Sequence, residues 1–141
     1  MMRSVLGLVL GIVAGFTLMI LVSFIGNSIY PYPADVDLQN VNRAGEAFRT
    51  TGMGYKLFVV LAWFVSSFGG GAVAKLIGRR LWPLWGAVGV MTANAAASMF
   101  FLSLPVWMQI AAVVVPLAGG FLATHVGGRR PGISGAPNAE I

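Results

Sequence analysis

Four long apolar runs, separated by short polar or glycine-rich segments, dominate the pattern of hydrophobic positions along the chain. They cover residues 5–25, 55–77, 81–102 and 105–126. At a helical rise of about 1.5 Å per residue, runs of about 22 residues cross a hydrocarbon layer roughly 30 Å thick. The pattern therefore predicts an all-α integral membrane protein, whose four transmembrane helices form two hairpins within a single domain covering residues 1–128.

The segment between the first two runs, residues 26–54, is the only long connection. Pro31 and Pro33 cannot continue a helix, because each lacks the backbone N–H and restricts the residue before it. After them, Asp37 is suited to cap a short helix that runs to about Arg49. This helix is predicted to be amphipathic and to lie on the membrane or on the bundle, because four apolar residues share one face: Leu38, Val41, Ala44 and Phe48.

The composition agrees with a membrane protein, since 57% of the residues are apolar, 9% are charged and the mean hydropathy is +0.84. Soluble domains are nearer a quarter charged. The net charge of +5 does not indicate a nucleic-acid partner, because the basic residues flank the apolar runs instead of forming a stripe. The predicted partners are the lipid bilayer and either other membrane subunits or a second copy of the chain.

The basic residues also predict the orientation of the chain. Six lie on the side of the termini, against three on the side of the long loop, so both termini are expected in the cytoplasm. The last segment, residues 129–141, is rich in proline, glycine and polar residues, and is predicted to be a disordered cytoplasmic tail. The six basic residues of the first group are Arg3, Lys75, Arg79, Arg80, Arg129 and Arg130.

Candidate chemistry is scarce. The chain has no cysteine, which excludes thiolate metal sites and thiol catalysis, and its single histidine cannot provide bis-histidine haem ligation. Asp35 and Asp37 form the one close carboxylate pair, and a solvated turn explains them better than a cation site. We therefore predict no catalytic residue, no metal and no cofactor, and a protein that is not an enzyme.

Small residues at four-residue spacing mark faces on which another helix can pack closely in lipid. Shifting the chain by fifty residues aligns the second run with the fourth, and 69–70 then meets 119–120. Two interpretations stay open: a duplicated hairpin, as in some transporters, or a coincidence between glycine-rich helices. The predicted packing residues are Gly7, Gly11 and Gly15 in the first run, Ser66, Gly70 and Ala74 in the second, and Gly120 and Thr124 in the fourth.

Polar residues cluster near the middle of the third run, at Thr92, Asn94 and Ser98. They could line a polar path across the membrane. The alternative, which we favour, is that Asn94 hydrogen-bonds to another helix and stabilises the bundle by about 0.6–2 kcal/mol.

Three segments carry a resemblance to known proteins: the residues Tyr30-Pro31-Tyr32-Pro33-Ala34-Asp35-Val36-Asp37, the residues Leu61-Ala62-Trp63, and the glycine-rich segment 68–74. With them the chain resembles small four-span bacterial inner-membrane proteins that have no known activity. The resemblance implies a bacterial inner membrane and leaves the function open. The chain does not resemble small multidrug exporters, which need an acidic residue in their first span.

The function expected from these features is that of a non-enzymatic accessory or structural subunit, packed against itself or within a larger membrane complex. The small-residue faces and the lack of charge at mid-membrane depth support it. The alternative is a small dimeric transporter or channel, supported by the fifty-residue correspondence and by Asn94.

Overall fold

A computed structural model describes residues 1–31, 40–101 and 104–127 of the chain. These residues form helices, turns and short connections, with no strand among them. The helices are α1 (Met2–Ile29), α2 (Val41–Thr50), α3 (Met53–Gly78), α4 (Leu81–Phe101) and α5 (Val106–Ala123). Within the described ranges, four of them, α1, α3, α4 and α5, are long and apolar enough to span a membrane. The protein is therefore a multi-pass membrane protein built as a helix bundle.

The helix boundaries extend or shorten the predicted spans by a few residues. α1 and α3 continue past their apolar runs, because a helix satisfies its own backbone groups in lipid and in the interface alike. The fourth span ends early, at Ala123, and a turn over residues 124–127 closes with Gly127 at a φ of +69°. The predicted end of the third span at 102, and the tail 129–141, lie outside the described residues.

α3 is the central helix of the bundle, since it packs against α1, α4 and α5. α4 also contacts α1 and α5, whereas α1 and α5 do not touch each other within the described ranges. The most extensive helix pair is α1 with α3. Both α3 and α4 therefore touch the other three spanning helices, and the contacts of α3 are the more extensive.

Two apolar clusters fill the bundle near its two ends. One contains the fully buried residues Leu84, Val88 and Ala123, packed against Phe68 and Ala72. The other joins α2 to α3, α4 and α5 through the buried residues Phe48, Trp63, Ala95, Leu104, Met108 and Ala112. We call the end that carries Met1, the α3–α4 connection and residues 124–127 the basic end, and the end that carries α2 the loop end.

α2 begins at Val41, where Asn40 is the N-cap and its Oδ1 accepts a hydrogen bond of 3.2 Å from the Asn42 N–H. The predicted cap, Asp37, lies outside the described residues, as do Leu38 and the side chains of Val41 and Ala44. Phe48 is 1% exposed and makes an edge-on ring contact with Tyr55. This phenyl ring anchors α2 to the bundle.

Candidate functional site

The contact between α1 and α3 is formed by backbone atoms, because the glycines of α1 leave no side chain between the helices. A Cβ added at Gly7 would lie 2.6 Å from the Gly78 nitrogen and 2.7 Å from the Ala74 carbonyl oxygen. One added at Gly11 would lie 2.6 Å from the Gly70 carbonyl oxygen. All these distances are well below van der Waals contact, so only glycine fits at both positions.

The same contact is equally close when it is measured from α3. A Cβ added at Gly70 would lie 2.7 Å from the Gly11 carbonyl oxygen and 3.1 Å from the Gly15 Cα. Ser66 is buried, and its hydroxyl donates to the Trp63 carbonyl oxygen of its own helix at 3.0 Å. The structure thus brings six of the predicted packing residues into one contact surface, which we call the glycine seam: Gly7, Gly11, Gly15, Ser66, Gly70 and Ala74.

The two predicted packing residues of the fourth run have different surroundings. Gly120 is buried, and a Cβ added there would lie 2.6 Å from a methyl group of Val88 in α4. Thr124 lies just beyond the last residue of α5, and its hydroxyl donates to the Phe121 carbonyl oxygen. Gly70 and Gly120 each face the preceding spanning helix, but Gly70 meets backbone and Gly120 meets a side chain. The idea of a duplicated hairpin remains a prediction.

The three polar residues of α4 do not share a common partner. The Thr92 hydroxyl donates to the Val88 carbonyl oxygen at 2.8 Å, and the Ser98 hydroxyl donates to the Asn94 carbonyl oxygen at 3.2 Å. Both bonds stay within the helix. The Asn94 side chain reaches α1, where its Nδ2 donates to the Met19 sulfur at 3.5 Å. Because thioether sulfur is a weak acceptor, this interhelical bond is weak.

Ser67 is a buried polar residue that the sequence analysis did not single out. It is fully buried, and its hydroxyl has no hydrogen-bond partner within the described part of the chain. Its Cβ lies 3.4 Å from the position that a Cβ on Gly119 would take, so it sits where α3 and α5 approach. A serine beside another serine in an apolar run gives no signal of which one faces the interior.

Lys75 connects α3 to the end of α5. Its ammonium group donates to the Thr124 carbonyl oxygen and, at 2.8 Å, to the Val126 carbonyl oxygen. Carbonyl groups at a helix C-terminus carry partial negative charge, which a lysine offsets. The sequence indicates that Lys75 reaches the end of the bundle, but the identity of its acceptors depends on the α3–α5 contact.

Taken together, the described side chains form a packed interior with small-residue contacts, in which the Ser67 hydroxyl is the one buried polar group without a hydrogen-bond partner among the described residues. Within residues 1–31, 40–101 and 104–127, no three histidine, aspartate or glutamate residues are grouped so as to hold a metal ion. Comparison with protein-family models, curated proteins and solved structures finds no match to this chain.

Proposed function

We propose that this protein is a non-enzymatic accessory or structural subunit of a bacterial inner membrane, which packs against a second copy of itself or within a larger membrane complex. Both termini lie in the cytoplasm, and α2 is an amphipathic helix of the outer loop. The spanning helices form two hairpins, α1 with α3 and α4 with α5.

The observation that carries this proposal is the way the polar residues of α4 are bonded. The Thr92 and Ser98 hydroxyls bond to carbonyl groups of their own helix, and the Asn94 amide reaches a thioether of α1. A permeation path needs polar groups that are free to exchange bonds with a solute. Side chains that are already bonded within the bundle favour a structural role for this cluster.

The orientation is supported by the charges of the two ends. The basic end carries Arg3, Lys75, Arg79 and Arg80, whereas the loop end combines basic residues with Glu46. Positive residues at span ends are retained in the cytoplasm.

A surface for a partner helix is available on α4. Gly89 and Ala93 lie one turn apart and both are exposed, and a Cβ added at Gly89 would meet nothing within 4 Å. The small residues of the glycine seam are already covered by the α1–α3 contact. The open row on α4 is therefore where another helix can approach the backbone closely, with van der Waals packing as the driving force.

The size of the native particle in mild detergent tests the proposal. We expect the wild-type chain to migrate as a complex larger than the 14.8 kDa monomer. Gly89→Leu should release the monomer with an unchanged helical circular dichroism spectrum, because the leucine blocks a partner while its Cβ meets nothing within 4 Å in the chain. As a matched control, Val9→Leu changes an exposed residue of α1 and should leave the complex intact.

Two results would contradict the proposal. One is a wild-type chain that is monomeric both in mild detergent and after cross-linking in native membranes. The other is a purified homodimer that carries a solute flux in liposomes, abolished by Asn94→Ala at unchanged protein level, which would establish the transporter alternative.

A further inference from the structure

A cavity of about 600 Å³ opens at the basic end, between the C-terminal ends of α3 and α5 and the start of α4. Its volume falls within the range of small-ligand sites, about 300–1,000 Å³. Three cationic residues and two leucines line the cavity, and the turn at 126–127 completes it. These lining residues are Lys75, Arg79, Arg80, Leu76 and Leu81.

Among the residues that the structure describes, no carboxylate lies beside the cationic residues of this cavity. In the ranges that the structure describes, the one acidic side chain is that of Glu46, which belongs to α2 at the loop end. Three like charges within one cavity repel one another, and a bound anion relieves that repulsion. The electrostatics of the cavity therefore favour an anionic ligand.

Arg79 occupies a backbone conformation that favours glycine. It is the C-cap of α3, with φ +54° and ψ +21°, and its N–H donates to the Lys75 carbonyl oxygen at 2.8 Å. Glycine is the usual residue at such left-handed helix ends, because it lacks the Cβ that makes the conformation unfavourable. An arginine kept in this conformation indicates that its guanidinium group has a role at this place.

Lys75 fixes the geometry of the cavity with two of its N–H donors and keeps the third available for a ligand. Two of its three donors hold the Thr124 and Val126 carbonyl oxygens, and this contact joins the α3 and α5 sides of the cavity. The third donor remains for a ligand, next to the two guanidinium groups. A tetrahedral oxyanion with several acceptor oxygens matches this set of donors.

The two leucines of the cavity favour a lipid over a free inorganic anion as its ligand. Leu76 and Leu81 are 56% and 52% exposed, and both lie at the ends of membrane-spanning helices. Trp82 follows them and is 48% exposed, as is typical of aromatic residues at headgroup depth. A ligand that carries both a phosphate and hydrocarbon chains would contact both the cationic residues and the leucines.

We propose that this cavity binds the phosphate of an anionic glycerophospholipid, with the Arg79 and Arg80 guanidinium groups and the Lys75 ammonium group as its donors. The acyl chains lie along Leu76 and Leu81. Basic cavities between helix ends on the cytoplasmic side are suited to such headgroups. This site is separate from the partner surface proposed above, because neither Gly89 nor Ala93 lines the cavity and Gly89 lies about 12 Å along α4 from Leu81.

The test titrates the purified full-length protein in nonionic detergent with dilauroyl phosphatidylglycerol, and counts bound lipid by native mass spectrometry while melting is followed in parallel. The decisive variant is Arg79→Gly, which removes a charge and also relieves the positive φ. We expect its affinity for phosphatidylglycerol to fall about tenfold, as for the loss of one charge-assisted contact, while its melting temperature without lipid stays equal or rises. Arg80→Gln should weaken binding similarly.

Three controls decide between this site and its alternatives. Arg49→Gln makes the same change in charge at the loop end and should bind the lipid like wild type, whereas equal losses in both variants would reveal a non-specific effect of net charge and overturn the proposal. Dilauroyl phosphatidylcholine should bind much more weakly, and equal binding would refute the role of the net negative charge. Inorganic phosphate at millimolar concentration should not displace the lipid. Full displacement would mean a site for the free ion and would refute the lipid assignment.

Discussion

Replacing Gly11 by alanine introduces a single methyl group into the close backbone contact between α1 and α3. The added Cβ would lie 2.5 Å from the Ala74 Cβ and 2.6 Å from the Gly70 carbonyl oxygen. Ordinary contact begins at 3.4 Å, so α1 and α3 must move apart at this point. The carbonyl oxygen belongs to the backbone of α3 and cannot rotate away, so the whole seam has to open.

The size of the effect follows from two opposing terms. Overpacking of this kind costs about 1–3 kcal/mol, and the rigid backbone on the other side places Gly11→Ala in the upper part of that range. Alanine in a helix is favoured over glycine by about 1 kcal/mol. We expect the free energy of unfolding to fall by about 1–2 kcal/mol, the difference between the two terms.

Gly89→Ala is the matched control, because it makes the same chemical change in a helix where the new Cβ meets nothing within 4 Å. At Gly89 only the higher helix propensity of alanine changes the stability, so the free energy of unfolding should stay equal or rise by up to about 1 kcal/mol. Unfolding is followed by tryptophan fluorescence during titration with sodium dodecyl sulfate, in mixed micelles dilute enough to keep the chain monomeric. If Gly11→Ala is as stable as Gly89→Ala, the seam is not a close backbone contact.

The remaining predictions concern three other parts of the molecule. Phe48→Ala should lower the free energy of unfolding by about 3–5 kcal/mol, as for other fully buried phenylalanines, and a loss below about 1 kcal/mol would mean that α2 is not anchored to the bundle. Asn94→Ala should lower the free energy of unfolding by only about 0.6 kcal/mol, because its bond to Met19 is weak. Asn94→Asp should fold poorly, since it places an ionisable group at a half-buried position of an apolar membrane-spanning helix. A well-folded Asn94→Asp protein whose activity depends on pH would oppose the structural role. A reporter enzyme fused after Ile141 should be located in the cytoplasm, and one inserted at Asn42 should be located outside. A cytoplasmic location of the reporter at Asn42 would overturn the orientation.

The number and approximate limits of the spanning helices could be predicted from the sequence, because the cost of exposing backbone and charge to lipid acts on each segment separately. The small-residue faces were predictable for the same reason: Gly7, Gly11 and Gly15 repeat along one side of α1 whatever lies opposite. Which helix covers that side was not predictable. Spacing defines a face, and the choice of α3 as its partner depends on the packing of the whole bundle.

For the polar contacts too, the position of a residue could be predicted from the sequence but its bonding partners could not. That Lys75 lies near a helix end follows from its position in the run, but its bonds to the Thr124 and Val126 carbonyl oxygens require α5 to end beside it. The left-handed conformation of Arg79 could not be expected either, since Gly78 precedes it and glycine is the residue usually found in that conformation. In both cases the local structure depends on a long-range contact or on the exact end of a helix, and neither of these leaves a periodic signal in the sequence.

The dependence of α1 on α3 has a consequence for biosynthesis. α1 leaves the ribosome first, and its partner is complete only when Gly78 has been added, after the intervening loop, α2 and α3 have been made. At about 5–20 residues per second, this interval lasts roughly 2 to 10 seconds. During that time α1 is stable as a single span, because all of its backbone bonding is internal, but its row of glycines faces lipid and can receive any other small-residue helix. The length of chain from the end of α1 to Gly78 therefore sets how long the newly inserted helix must be kept from pairing with other newly made proteins in the membrane.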